Sequence, residues 1–116
     1  ALSEVRRICL ALPETSERLS HGAPTFFIRD KKTFTTFHDD HHGDGRMGIW
    51  CPAPPGVQEQ MVENEPERFY RPPYVGGRGW LGVNLGIDPD WDEVAGIIGE
   101  AFRHVAPKTV LKLLDD

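Results

Sequence analysis

The chain has little cysteine and no long apolar run. Two cysteines in 116 residues exclude the disulfide-stapled scaffolds that small secreted domains need. Cys9 and Cys51 sit among apolar neighbours, which predicts two buried thiols; a Cys9–Cys51 disulfide is the alternative. The longest apolar run near the start, residues 8–12, is shorter than the core of a signal sequence and far shorter than a membrane span. We therefore expect a cytoplasmic protein without a membrane partner.

Basic residues and catalytic motifs are also scarce. Thirteen Lys and Arg against eighteen Asp and Glu give a formal net charge of -5 at pH 7, which excludes coating of nucleic acid by overall charge neutralisation. A local basic patch is still compatible with this charge. No Gly-Lys-Ser/Thr phosphate-binding ending is present, and the neighbours Ser20 and His21 would point to opposite faces of a strand. We expect no enzymatic activity and no cofactor.

Aromatic residues, in contrast, are spread along the whole chain. Three Trp, six Phe and two Tyr argue against disorder, and the length suits a single domain over residues 1–116. Alternating polarity predicts strands at residues 25–29, 32–38, 47–51 and 80–85, and an edge strand at residues 17–21. Phe34 and Phe37 are three apart and cannot share one face of a regular strand, so we expect a bulge there, or burial of both faces.

Apolar residues at helical spacing predict four helices. The expected boundary residues are Ser3 and Pro13 for the first helix, Pro54 and Pro66 for the second, Asp90 with Glu93 as a capping box for the third, and Pro107 for a short fourth. Val57, Met61 and Val62 should face inward from the second helix. Residues 68–79 show no period and should form a loop.

Strands joined by short turns must be antiparallel, and here strands and helices are segregated along the chain. This order predicts an α+β fold, a two-layer sandwich whose helices pack on one face of an antiparallel sheet.

Four blocks of sequence, residues 20–26, 39–46, 50–59 and 72–80, resemble the signature segments of the MmcQ/YjbR family. The resemblance extends from about Leu2 to Leu111. It implies a CyaY/frataxin-like fold, in agreement with the predicted order of elements. Members of this family are commonly described as DNA-binding proteins, so the resemblance implies DNA as a partner. It implies no catalytic residue.

The first candidate site is the segment 68–80, in which Arg68, Arg71 and Arg78 alternate with aromatic residues and no acid occurs. Guanidinium groups pair with phosphates and aromatic rings stack on bases, so Tyr74 and Trp80 complete a pattern typical of nucleic-acid binding. The alternative is a structural loop whose aromatic side chains pack on the core. In that case its arginines would pair with the acids of residues 88–100.

The second candidate is the polar face of the sheet. Trp50 shares this face with Gly48, and Trp80 shares it with Gly82. If the two strands are neighbours, each indole could lie over a glycine and leave an aromatic surface for a ligand. The alternative is that the second helix or the 68–79 segment covers this face.

The third candidate is a metal site at His38, His41 and His42, because imidazoles near carboxylates can bind zinc or iron. The spacing fits no recognised ligand motif, and the segment also suits a solvated hairpin turn.

Taken together, these patterns predict a non-enzymatic binding module whose ligand is nucleic acid. Arg68, Arg71, Tyr74, Arg78, Trp50 and Trp80 are its candidate contacts. A module that binds a small ligand or a protein through the Trp50/Trp80 face is the first alternative, and a metal-binding protein is the second.

Overall fold

Six antiparallel strands form one sheet that organises the chain. The computed structural model describes residues 1–40, 43 and 45–114. The strands are β1 (Thr15–Ser20), β2 (Ala23–Ile28), β3 (Lys32–Asp39), β4 (Met47–Cys51), β5 (Phe69–Tyr70) and β6 (Leu81–Asn84), in the spatial order β1-β2-β3-β4-β6-β5. The helices are α1 (Leu2–Leu10), α2 (Val57–Asn64), α3 (Trp91–Val105) and α4 (Lys108–Leu114), with a short 3-10 helix at Gly76–Arg78. The predicted edge strand is confirmed as β1.

The hydrophobic core lies between the sheet and the helices. Phe26, Ile49 and Leu81 point from the sheet into this core, and Val5 of α1 and Phe102 of α3 meet them. Met61 and Val62 of α2 pack against the same core, as predicted. Successive side chains of a strand alternate between faces, so the residues between the core positions form a second surface, which we call the outer face. The α+β fold with helices against one antiparallel sheet is therefore confirmed.

A β-bulge in β3 resolves the irregular spacing of its phenylalanines. Phe26 pairs with Thr35 and Phe27 pairs with Thr33, so Phe34 has no partner on β2. The extra residue lets Phe34 and Phe37 enter the same core, where both are buried. The bulge is one of the two outcomes that the three-residue spacing left open, the other being burial of both faces of the strand.

Several predicted element boundaries are wrong. Ser3 does not cap α1, because the helix already begins at Leu2 and the cap position, Ala1, has no capping side chain. Asp90 does cap α3, since its side chain accepts from the backbone N–H groups of Asp92 and Glu93. The Glu93 carboxylate instead bonds Arg68, so only half of the capping box forms.

The segment 68–79 is also more ordered than a loop. Phe69 and Tyr70 form β5, which pairs with β6 as the sixth strand. Two residues are too few to show an alternation, which is why the pattern gave no sign of this strand.

The helix after Pro54 starts only at Val57, because Gly56 occupies a left-handed conformation with φ of 86° immediately before it. None of the helices in the described ranges has the length and apolarity that a membrane crossing requires.

Both cysteines are buried thiols, and the predicted absence of a disulfide is confirmed. The Cys51 sulfur lies 3.6 Å from the hydroxyl of Thr35 in the core. Burial raises the pKa of the Cys51 thiol to about 12, and burial likewise raises the pKa of Cys9. Neither sulfur is therefore available as a thiolate at neutral pH.

Removing the Phe34 side chain should test the bulge. Phe34 is fully buried and meets Phe102 edge to face at a centroid distance of 5.5 Å. Phe34→Ala should lower the free energy of unfolding by about 3–5 kcal/mol in urea denaturation. Leu113→Ala, at a half-exposed site on α4, should change it by less than about 0.5 kcal/mol. Equal effects of the two changes would contradict the placement of Phe34.

The thiols should resist modification in the native chain. A thiol-specific reagent at pH 8 should label neither cysteine before unfolding and both in urea. Because the folded-state pKa of Cys51 lies above its usual value of 9.0, its contribution to stability is complete below pH 9 and is lost as pH rises towards 12. Rapid labelling of the folded chain at pH 8 would contradict the burial.

Candidate functional site

A groove of about 910 Å³ crosses the outer face of the sheet, and we call it the outer-face groove. Thr25, Thr36, His38 and Trp50 form its floor, from β2, β3 and β4. The other lining residues come from five places: the 3-10 helix and its flanks (Tyr74, Val75, Arg78 and Trp80), the β1–β2 turn (Ser20, His21 and Ala23), the start of β3 (Lys32 and Thr33), the segment after β4 (Pro52 and Ala53) and the end of α3 (His104 and Val105).

The lining of this groove contains cations but no acid among the described residues. Lys32 and Arg78 are exposed and carry permanent charge, and three imidazoles, those of His21, His38 and His104, also line it. The chain as a whole has a net charge of -5, so the acids are placed elsewhere. A cleft lined by charge of one sign concentrates ligands of the opposite sign. The groove is therefore suited to an anion.

The floor of the groove is a fixed aromatic cluster. Trp50 is 5% exposed, and its ring stacks on His38 with centroids 3.5 Å apart and planes 21° from parallel. The indole Nε1 donates a hydrogen bond of 3.1 Å to the hydroxyl of Tyr70. His38 Nε2 and Thr36 Oγ1 are 2.8 Å apart. Because so little of the Trp50 ring is exposed, it provides a support and not an open stacking surface.

The two glycines of the outer face lie under Tyr70. A Cβ on Gly82 would be 2.5 Å from Cε2 of Tyr70, and one on Gly48 would be 2.8 Å from its hydroxyl oxygen. The Arg46 guanidinium also lies over this ring, with its Cζ 4.3 Å from the centroid. β4 and β6 are neighbours, which is the condition that this expectation set, and Trp50 pairs directly with Gly82. The ring over the glycines is nevertheless the tyrosine of β5, so the expected placement of an indole over each glycine is wrong.

One amide of α2 holds the 3-10 segment beside the groove. Gln58 is 2% exposed, and its Nε2 donates to the carbonyl oxygens of Gly76, at 2.9 Å, and of Trp80. The Gly76 carbonyl also accepts from the N–H of Gly79 at 3.0 Å, so the Gln58 amide adds a side-chain bond to the turn of the 3-10 helix. Above them, the Arg78 guanidinium lies 5.5 Å from the centre of the half-buried Trp80 ring. Arg78 and Trp80 thus share one wall of the groove.

Tyr74 projects from the same wall in an unusual backbone conformation. Its φ is 65°, a left-handed value that costs a non-glycine residue roughly 1–3 kcal/mol. The N–H of Val75 donates to the carbonyl of Pro73 at 2.7 Å across this residue. The side chain is nonetheless 77% exposed, the most exposed large ring of the described chain.

Arg68 and Arg71 lie outside the lining of the groove. Arg68 bonds Glu65 at 3.1 Å and also Glu93 of α3, and the bond to Glu65 raises the pKa of its guanidinium. For Arg68, the structure therefore agrees with the alternative interpretation of the segment 68–80, in which its arginines pair with acids of residues 88–100. Arg71 is exposed but packs along the 3-10 helix, where a Cβ on Gly76 would be 2.6 Å from its Cγ. Of the three arginines singled out, the groove includes Arg78.

The histidine cluster divides between the groove and undescribed sequence. His38 belongs to the aromatic floor, whereas His41 and His42 lie outside the described residues. Within residues 1–40, 43 and 45–114, no group of three or more His, Cys, Asp or Glu could hold a metal ion.

Comparison with known proteins gives this fold a family. A sequence model of the family described as YjbR matches residues 10–104. The chain belongs to the YjbR family. The crystal structure of protein DR2400 from Deinococcus radiodurans, described as a DUF419 domain, is similar with a TM-score of 0.78 and 13% sequence identity, covering 99% of this chain and 88% of that one. At this identity the likeness concerns the fold. No curated protein sequence matches.

Several residues in and beside the outer-face groove were not predicted from the sequence. Lys32, His21 and His104 come from three separate elements and meet only through the fold. Gln58 was hidden because a single polar residue between inward-facing apolar ones resembles a solvent position on a helix. Tyr70 could have been found by asking which ring covers Gly82, since a strand glycine often marks the close approach of another group.

The Tyr70 packing can be tested at Gly82. Gly82→Ala should displace the ring, break its hydrogen bond with Trp50 and lower the free energy of unfolding by about 1–3 kcal/mol. The indole N–H resonance of Trp50 should shift in an NMR spectrum. Gly96→Ala is the control, because its new methyl group would meet nothing within 4 Å. This change should raise the free energy of unfolding by up to about 1 kcal/mol, since alanine favours a helix more than glycine does. An unchanged Trp50 resonance in Gly82→Ala would contradict the packing.

Proposed function

We propose that this YjbR-family chain is a non-enzymatic module that binds nucleic acid in the outer-face groove. The observation that carries the proposal is a described lining without acids that holds one exposed ring, Tyr74, and one half-buried ring, Trp80, on a chain of net charge -5. Nucleic acids offer phosphates and flat bases, and the groove offers partners for both.

Arg78 and Lys32 are the proposed phosphate contacts. Neither makes an ion pair with a carboxylate in the part of the chain that the structure describes. Five arginines away from the groove do make such pairs: Arg6, Arg7, Arg18, Arg29 and Arg68. A cation that is already paired with a carboxylate contributes little to the binding of an external anion. The charges of Arg78 and Lys32 are available for such binding.

Tyr74 and Trp80 are the proposed base contacts. Tyr74 is largely exposed, and Trp80 is half-buried with the Arg78 guanidinium 5.5 Å from its ring centre. Stacking of a base on an aromatic side chain contributes about 1–3 kcal/mol and tolerates any base. Trp50 acts beneath them by keeping the floor rigid.

Chemistry at the thiols is disfavoured in the same fold. Cys51 alternates with Trp50 and so points into the core, away from the groove, and the raised pKa of its thiol keeps it protonated. This supports binding without covalent catalysis by cysteine.

A small anionic ligand is the second candidate, and the groove volume is the observation in its favour. A volume of about 910 Å³ falls within the range of small-molecule sites, roughly 300–1,000 Å³. Such a ligand would use the same cations and rings. A mononucleotide would then bind as tightly as an oligonucleotide, which provides the distinction between the two candidates.

Charge removal tests the proposal directly. Fluorescence anisotropy with labelled oligonucleotides at low salt should show binding by the native chain. Arg78→Ala and Lys32→Ala should each weaken it by about tenfold, which corresponds to the loss of one charged contact of about 1.4 kcal/mol. The controls Arg7→Ala and Lys112→Ala remove the same charge from exposed sites on α1 and α4, and they should change affinity by less than about twofold.

Two results would overturn this assignment. One is the absence of binding to any oligonucleotide at roughly tens of micromolar, a range in which even non-specific nucleic-acid binders associate. The other is an equal loss of affinity in the groove variants and their controls. That result would show a response to net charge and not to the groove.

A further inference from the structure

We infer that the outer-face groove selects a single strand over a duplex, with Tyr74 as the side chain that stacks on an unpaired base. This inference rests on the proposed nucleic-acid binding and specifies its substrate class.

The shape of the outer face is the first argument. A duplex is read by an element that projects into it, an α-helix or a β-ribbon in the major groove. The helices α1 and α3 lie instead against the core face of the sheet, and the outer face presents a depression floored by Trp50. A depression takes in a strand, whereas a projection enters a duplex.

The orientation of ring surfaces is the second argument. A ring can stack on the face of a base only where that base is not already stacked on its neighbours within a helix. Tyr74 is 77% exposed while Trp50 is 5% exposed, so Tyr74 is the ring that an incoming base meets first. Its backbone is held at φ 65° between Pro73 and the 3-10 helix that Gln58 anchors. The ring is thereby presented on a rigid support.

The number of cations is the third argument. The groove contains two permanently charged side chains, Lys32 and Arg78, among its described lining residues. Two phosphate contacts on a single strand give a salt slope of about -1.4, which is modest. A duplex carries more phosphate charge per length than a single strand, and the net charge of the chain is -5. Two cations in the groove are too few to offset the resulting repulsion.

The experiment compares one labelled oligonucleotide of about 12 nucleotides, a length within the usual site sizes, with its duplex. The native chain should bind the single strand at least about tenfold more tightly than the duplex, with a logarithmic salt slope near -1.4. Tyr74→Gly should lose about tenfold in affinity for the single strand and nothing for the duplex, while Tyr74→Phe should stay within about twofold of the native chain.

Tyr74→Gly is a suitable variant because glycine adopts φ 65° without strain, and a thermal melt should show a folded chain. Equal or tighter binding of the duplex would overturn this inference and leave the proposed function intact. Equal affinity of native chain and Tyr74→Gly for the single strand would also overturn it. Failure to bind either form would overturn the proposed function itself, and the inference with it.

Discussion

The antiparallel register is the constraint on which the rest of this molecule depends. It places Thr25, Thr36, Trp50, Gly82 and Tyr70 opposite one another in a single row across five strands. Because strand side chains alternate, fixing this row also fixes which residues face the helices. A slip of one residue at any strand would exchange core and groove. The aromatic floor and the hydrophobic core are therefore two results of one alignment.

The bulge at Phe34 reconciles this alignment with the packing of β3. A regular strand would have placed Phe34 and Phe37 on opposite faces, and one of them would then have occupied the groove. With one extra residue in β3, both rings lie in the core while Thr36 and His38 keep their places on the floor. The pairing of charges has a similar effect. Arg68 bonds Glu65 and Glu93, whereas Lys32 and Arg78 form no ion pair with any described carboxylate. Packing and ion pairing thus leave the described lining of the groove polar, aromatic and free of acids.

Local sequence patterns were sufficient to predict most of the strands and helices, but not which residues form the groove. Strands β2, β3, β4 and β6, the bulge and the Asp90 cap follow from spacing that spans a few residues, so periodicity predicted them. β5 has two residues and depends on pairing with β6, which no local pattern records. The bond between Arg68 and Glu93 joins residues 25 positions apart, so the sequence could offer only the choice between a ligand contact and an internal pair. Lys32 and His104 reach the groove only after β3 and α3 have packed.

The contact between Tyr70 and Gly82 links two positions that are 12 residues apart in sequence. The ring fills the space that a side chain at residue 82 would need, and it also fixes the indole of Trp50 through its hydroxyl. Sequence change at either position is therefore constrained by the other. A lineage could acquire a side chain at residue 82 only after the ring at residue 70 had become smaller. The two positions should accordingly covary in an alignment of relatives, large with small.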